Sequence, residues 1–128
     1  MLNIALIGAG GALGALLRYG LSGLAYRWLG ETFPWGTLIV NLVGCFFIGL
    51  LWAISERTPM TPPVRIFLLT GTLGAFTTFS TFGLETFNLL RDGEIALAAG
   101  NVLAHNVIGL AAVIAGFFLA RVTLGGVS

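Results

Sequence analysis

Hydrophobic positions fall in four long runs along the chain, at about residues 4–26, 35–54, 64–90 and 95–121. Each is near the roughly 20 apolar residues that cross a hydrocarbon core of ~30 Å. The pattern predicts four membrane helices within one transmembrane domain spanning residues 1–128, of all-α class. Residues 27–34, 55–63 and 91–94 connect the runs and hold most of the charges and prolines. Trp28, Trp35 and Trp52 fall near predicted span ends, where indole rings favour the headgroup region.

The third run is irregular. Residues 71–82 read GTLGAFTTFSTF, and Glu85 follows after Gly83 and Leu84. Lipid cannot satisfy an interrupted helix, so irregular backbone survives in a membrane only where protein buries it or a cavity hydrates it. The third helix is therefore expected to break at mid-membrane, around Gly71, Gly74 and the Thr77–Thr78 pair. Breaks of this kind mark ion or substrate sites.

Composition agrees with the membrane reading. The chain of 128 residues is 57% hydrophobic and 9% charged, whereas a soluble domain carries about 25% charged residues. Six arginines against five acids leave a net charge of +1, with no basic stripe and no base-stacking platform, so no nucleic-acid partner is expected. The single Cys45 excludes an intrachain disulfide framework. No basic residue precedes Arg18 and no cleavage site stands out, so no removable signal peptide is expected.

Charge also bears on orientation. Four spans put both termini on one side with Arg57, Arg65 and Arg121, against Arg27 and Arg91 on the other and Arg18 deeper in the first span. This bias is nearly zero on the positive-inside rule. Either the chain takes a weakly determined single orientation, or it inserts both ways. In the second case an antiparallel dimer would reproduce with two chains the inverted repeat of larger transporters.

The N-terminal IALIGAGGALG imitates a dinucleotide fingerprint, but Leu13 stands where G-x-G-x-x-G needs its last glycine, and no acid follows at the required distance. Gly10 and Gly14 instead form a G-x-x-x-G pair that lets two membrane helices approach closely. Arg18 either snorkels to an interface or lines an aqueous vestibule. In the second run Thr37, Asn41 and Cys45 share one face at i, i+4, i+8, near Gly44 and Gly49. Asn41 must find partners in hydrocarbon, either as glue between helices or as a donor to a permeating anion.

In the third run Phe79 and Phe82 share a helix face, with Ser80 and Thr81 between them and Glu85 one turn on. Two aromatics at that spacing are commonly packing residues. Beside a glycine break, their positive ring edges offer a small anion contact without a full charge, which would hold it too tightly. The fourth run sets Asn101, His105 and Gly109 on one face, with Asn106 adjacent. No His, Cys or carboxylate stands at ligand spacing beside His105, so it reads as neutral pore lining or helix glue. No catalytic set or phosphate loop appears, and no enzyme is expected.

The runs GTLIVNLVG (36–44) and TGTLGAFTTFSTFGLE (70–85), together with Arg18, resemble the Fluc/CrcB family of fluoride channels. The resemblance extends over the whole chain. It implies an antiparallel, dual-topology homodimer in the bacterial cytoplasmic (inner) membrane, with two fluoride pores. Phe79 and Phe82 would flank the fluoride path and Asn41 would be the pore amide. Ser80 and Thr81 would supply hydroxyls, with Thr37, His105 and the nearby Glu85 along the polar lining and Arg18 in the vestibule. The carbonyls of Gly74 and Thr77 from each chain would enclose one structural sodium ion (Na+). Asn101, His105 and Gly109 depart from hydroxyl residues seen in some members, and Gly83 and the GAF at the break also depart from the commoner pattern.

The implied activity is physically coherent. Hydrogen fluoride enters as a neutral weak acid and dissociates inside, and an inside-negative potential drives the anion out at about 2.3 kcal/mol per 100 mV. No ATP site is needed. Two other readings remain at this level. A small dual-topology proton-coupled multidrug exporter would need a membrane acid, for which Glu85 is the candidate. A non-transporting scaffold would leave the polar break and Asn41 without a role.

Overall fold

The computed structural model describes residues 1–125. Helix α1 covers Leu2–Leu29 and α2 covers Trp35–Arg57. The third span, Pro62–Arg91, is split into α3 (residues 62–76) and α4 (Phe79–Arg91). Helix α5 covers Ile95–Gly125. All four spans are long and apolar enough to cross a membrane, and the chain is a multi-pass membrane protein. Large apolar side chains such as Ile4, Leu16, Leu110 and Phe118 lie on the outside, where a water-soluble protein would place polar ones.

The helices are held together by small residues. A Cβ on Gly10 would strike the Phe67 carbonyl, and one on Gly14 the Thr72 carbonyl, so the G-x-x-x-G pair of α1 brings backbone against the backbone of α3. The same device joins α2 to α5: Gly49 faces the Val113 carbonyl and Gly116 faces the Phe46 carbonyl. Without a hydrophobic driving force between helices in lipid, such close approach is a main source of attraction. Arg121 bonds Glu56 at 2.7 Å, and the Arg65 guanidinium lies 5.5 Å from the centre of the Trp52 ring. Both contacts lie at the end of the bundle where the arginine pattern places Arg57, Arg65 and Arg121.

The break is real but narrower than expected. Backbone stays helical through Phe76, and only Thr77 (φ −82°, ψ 155°) and Thr78 (φ −148°, ψ 113°) are extended. Gly71 therefore does not unwind. It is buried, and a Cβ there would lie 3.0 Å from the Gly10 Cα, so its smallness serves the α1–α3 contact. Before the break, residues 66–73 wind in wider turns, and Thr72 Oγ1 donates to the Phe67 carbonyl five residues back at 2.9 Å. Residues 104–108 of α5 do the same. Wide turns of this type are often found where a helix serves a site.

Candidate functional site

The site is built around the two extended threonines. Asn41 on α2 closes a two-bond ring with Thr78: its Nδ2 donates to the Thr78 carbonyl at 3.0 Å, and the Thr78 N–H donates to its Oδ1 at 2.8 Å. One side chain thus satisfies both backbone groups of Thr78, at the centre of the break. Thr78 then caps α4. Its Oγ1 accepts from the Thr81 N–H at 3.3 Å and donates to Thr81 Oγ1 at 2.9 Å. Ser80 Oγ lies 3.4 Å from the same hydroxyl. The methyl group of Thr77 fills the space that Gly44 leaves on α2.

Two cavities flank this break, and Thr78 lines both. The first, of about 450 Å³, brings together Asn41, Cys45, Phe79, Phe82 and His105 from α2, α4 and α5. The Phe79 and Phe82 ring centres are 5.3 Å apart. Phe82 is 8% exposed and rests 4.3 Å from the His105 ring, whereas Phe79 is 81% exposed. Gly74 and Thr77 line this same cavity, on the phenylalanine side of the break.

The second cavity, of about 360 Å³, holds Arg18, Tyr26, Thr37, Thr81 and Glu85. Glu85 Oε1 accepts from Tyr26 at 3.0 Å and from the buried Thr37 at 2.9 Å. Its Oε2 is buried with no hydrogen-bond partner among the described residues. Arg18 makes no hydrogen bond or ion pair among them either.

The structure therefore sorts the residues singled out by sequence into two groups. Asn41, Phe79, Phe82 and His105 meet in one cavity. Thr37, Thr81, Glu85 and Arg18 meet in the other. Ser80 lines neither, though its hydroxyl reaches the cap of α4. Asn101 is fully buried and outside both. Its Nδ2 donates to Thr86 at 2.9 Å, and Thr86 donates to the Phe82 carbonyl at 2.8 Å, so it ties α5 to α4. Tyr26 was not anticipated, although a signal was present: Arg18, Ser22 and Tyr26 recur at i, i+4, i+8 and mark a polar stripe on α1. No group of three or more His, Cys, Asp or Glu side chains that could hold a metal ion occurs among the described residues.

Comparison with known proteins identifies the family. The family model described as "CrcB-like protein, Camphor Resistance (CrcB)" matches residues 5–117. A protein of Salinibacter ruber named "Fluoride-specific ion channel FluC" is 49% identical over 98% of this chain and 95% of its own length. Proteins of the same name from Geobacter metallireducens and Nitrosococcus oceani are 52% and 48% identical, over 94% and 93% of this chain and 98% and 94% of theirs. With most of its length matched by the family model and by such relatives, and with the interrupted third span in place, this chain belongs to the CrcB-like family.

Proposed function

We propose that this chain is a passive, fluoride-selective ion channel of the bacterial cytoplasmic membrane and that it protects its cell by releasing fluoride. The relatives carry that name at about half identity over nearly full length. The observation that carries the reading is the break at Thr77–Thr78, which turns the N-terminus of α4 toward a cavity shared by Asn41, Phe79, Phe82 and His105. The first N–H groups of a helix lack partners within it and favour an anion. Asn41 spends one amide hydrogen on Thr78 and keeps the second for an ion. Phenyl edges add a weak positive field that does not trap the ion. Arg18, without a partner in the second cavity, supplies the attracting charge of a vestibule.

The working unit in this proposal is a homodimer of two oppositely inserted copies with two pores. The extended Thr77–Thr78 backbone borders the first cavity, and irregular backbone in a membrane needs protein or water around it, which favours cover by a second chain. Near-zero arginine bias favours the opposite insertion of that chain. Carbonyls of Gly74 and Thr77 from both copies would then hold one Na+ at the two-fold axis as a structural ion. Glu85 is engaged by two hydroxyl donors, Tyr26 and Thr37, which disfavours it as the free carboxylate that an exporter of cationic drugs would present to its cargo.

Purified protein in liposomes loaded with potassium fluoride tests the reading. Fluoride should leave when valinomycin carries potassium, without a proton gradient. Equal release of chloride, or release that needs a proton gradient, refutes it.

A further inference from the structure

The arginine-bearing end of the bundle carries a feature that fluoride conduction leaves unused. Helices α2 and α5 meet backbone to backbone there, with Gly49 against the Val113 carbonyl and Gly116 against the Phe46 carbonyl. Beside that contact lies a groove of about 230 Å³. Ile48 and Trp52 wall it on α2, and Val113, Phe117 and Phe118 wall it on α5. No charged side chain lines it.

Two arginines stand on its rings. The Arg65 guanidinium lies 5.5 Å from the centre of Trp52, and that of Arg121 lies 5.0 Å from the centre of Phe117. Stacking holds a guanidinium by its face and leaves N–H edges free to fork onto a phosphate. Arg121 spends one edge on Glu56 at 2.7 Å. Arg65 makes no hydrogen bond or ion pair among the described residues. Two cations against one carboxylate leave a net positive charge beside the groove.

We propose that this groove binds an anionic phospholipid of the surrounding bilayer. One acyl chain lies along the apolar walls, and the phosphate sits between Arg65 and Arg121. The walls alone select nothing in a membrane, because lipid chains are as apolar as leucine. Selection comes from the arginines, since basic pockets at the ends of membrane helices suit acidic head groups. A zwitterionic head group brings its own cation, and Glu56, the carboxylate that could receive it, is already held by Arg121.

Size argues against a second copy of this chain as the occupant. One turn of helix with its side chains fills roughly 400 Å³, so a helix can bridge the mouth of the groove but not enter it. The site stands apart from the fluoride reading and requires no channel activity.

The test uses Trp52 as its reporter. Trp28→Phe and Trp35→Phe leave it as the one tryptophan of the chain. The full-length protein is placed in phosphatidylcholine vesicles holding a fixed fraction of phosphatidylglycerol, with bromine on the chains of one lipid or the other. Bromine quenches an indole that it touches. Phosphatidylglycerol should reach Trp52 with about five-fold preference, the factor for one net arginine charge near the membrane surface. Arg65→Gln removes no ion pair and should bring the preference near parity, whereas Arg65→Lys should retain most of it. Both variants are read as monodisperse protein on size exclusion. Equal quenching by the two lipids, an unchanged preference in Arg65→Gln, or no quenching by either lipid, as when a second copy covers the groove, overturns the site. Fluoride flux enters none of these outcomes.

Discussion

Asn41 and Thr78 exchange two hydrogen bonds, at 2.8 and 3.0 Å, so a side chain on α2 completes the backbone of the broken third span. The amide expected as glue or as an ion ligand has a third task, since it makes the break affordable in lipid. Asn41→Leu preserves approximate volume and leaves the Thr78 N–H and carbonyl without partners. The expected loss is on the order of 3 kcal/mol, at ~1–3 kcal/mol for each orphaned group. Thermal unfolding in detergent should register this, and fluoride flux should vanish. A variant as stable as the native protein would show that Thr78 finds other partners.

Gly14 and Gly8 lie on the same helix but face different surroundings. A Cβ on Gly14 would strike the Thr72 carbonyl, while one on Gly8 meets nothing within 4 Å. Gly14→Ala should separate α1 from α3 and lower the folded yield sharply. Gly8→Ala should stay within about 0.5 kcal/mol of the native protein. Equal yields of monodisperse protein from both would mean that α3 yields to the added methyl.

Phe79 and Phe82 should separate stability from conduction. Replacing either with Ile removes a ring edge from the cavity, so fluoride flux should fall severely in both, with the oligomer intact on size exclusion. Phe82→Ile also loses the ring contact with His105 at 4.3 Å and should destabilise the protein by about 1 kcal/mol. Native flux in both variants would return the pair to simple packing.

The sodium proposal concerns Gly74 and Thr77. Exhaustive exchange into sodium-free potassium buffer should abolish flux, and restoring Na+ should recover it. An experimental structure should show one ion on the two-fold axis, held by four carbonyls. Undiminished flux after verified removal of sodium would end the proposal.

Opposite insertion predicts labelling from both membrane faces. Asp92 lies in the turn between α4 and α5, where Gly93 takes a φ of 80°. In a Cys45→Ser background, Asp92→Cys should react with an impermeant thiol reagent from outside and, after permeabilisation, show a second protected population. Complete labelling from one side assigns a single orientation.

The sequence by itself determined the four helices, because apolar runs of membrane length admit little else and the connections between them carry most of the charges. It also determined that the third span must break, since hydroxyls and glycines at that density have no place in an uninterrupted lipid-facing helix. The family was legible in the same residues. Which of those residues face which neighbour was decided only by tertiary structure. Gly71 and Gly74 look alike in sequence, yet Gly71 packs on Gly10 while Gly74 borders the cavity. Thr37 and Asn41 stand one turn apart on one face, yet the first holds Glu85 and the second holds Thr78. Periodicity assigns a residue to a face of its own helix. It carries no information on the rotation and height of the partner helix, and in lipid those follow from where small residues let backbones meet. Asn101 makes the point most sharply: it shares a face with His105, but burial against Thr86 withdraws it from the cavity and leaves it to position the helix backbone that His105 uses.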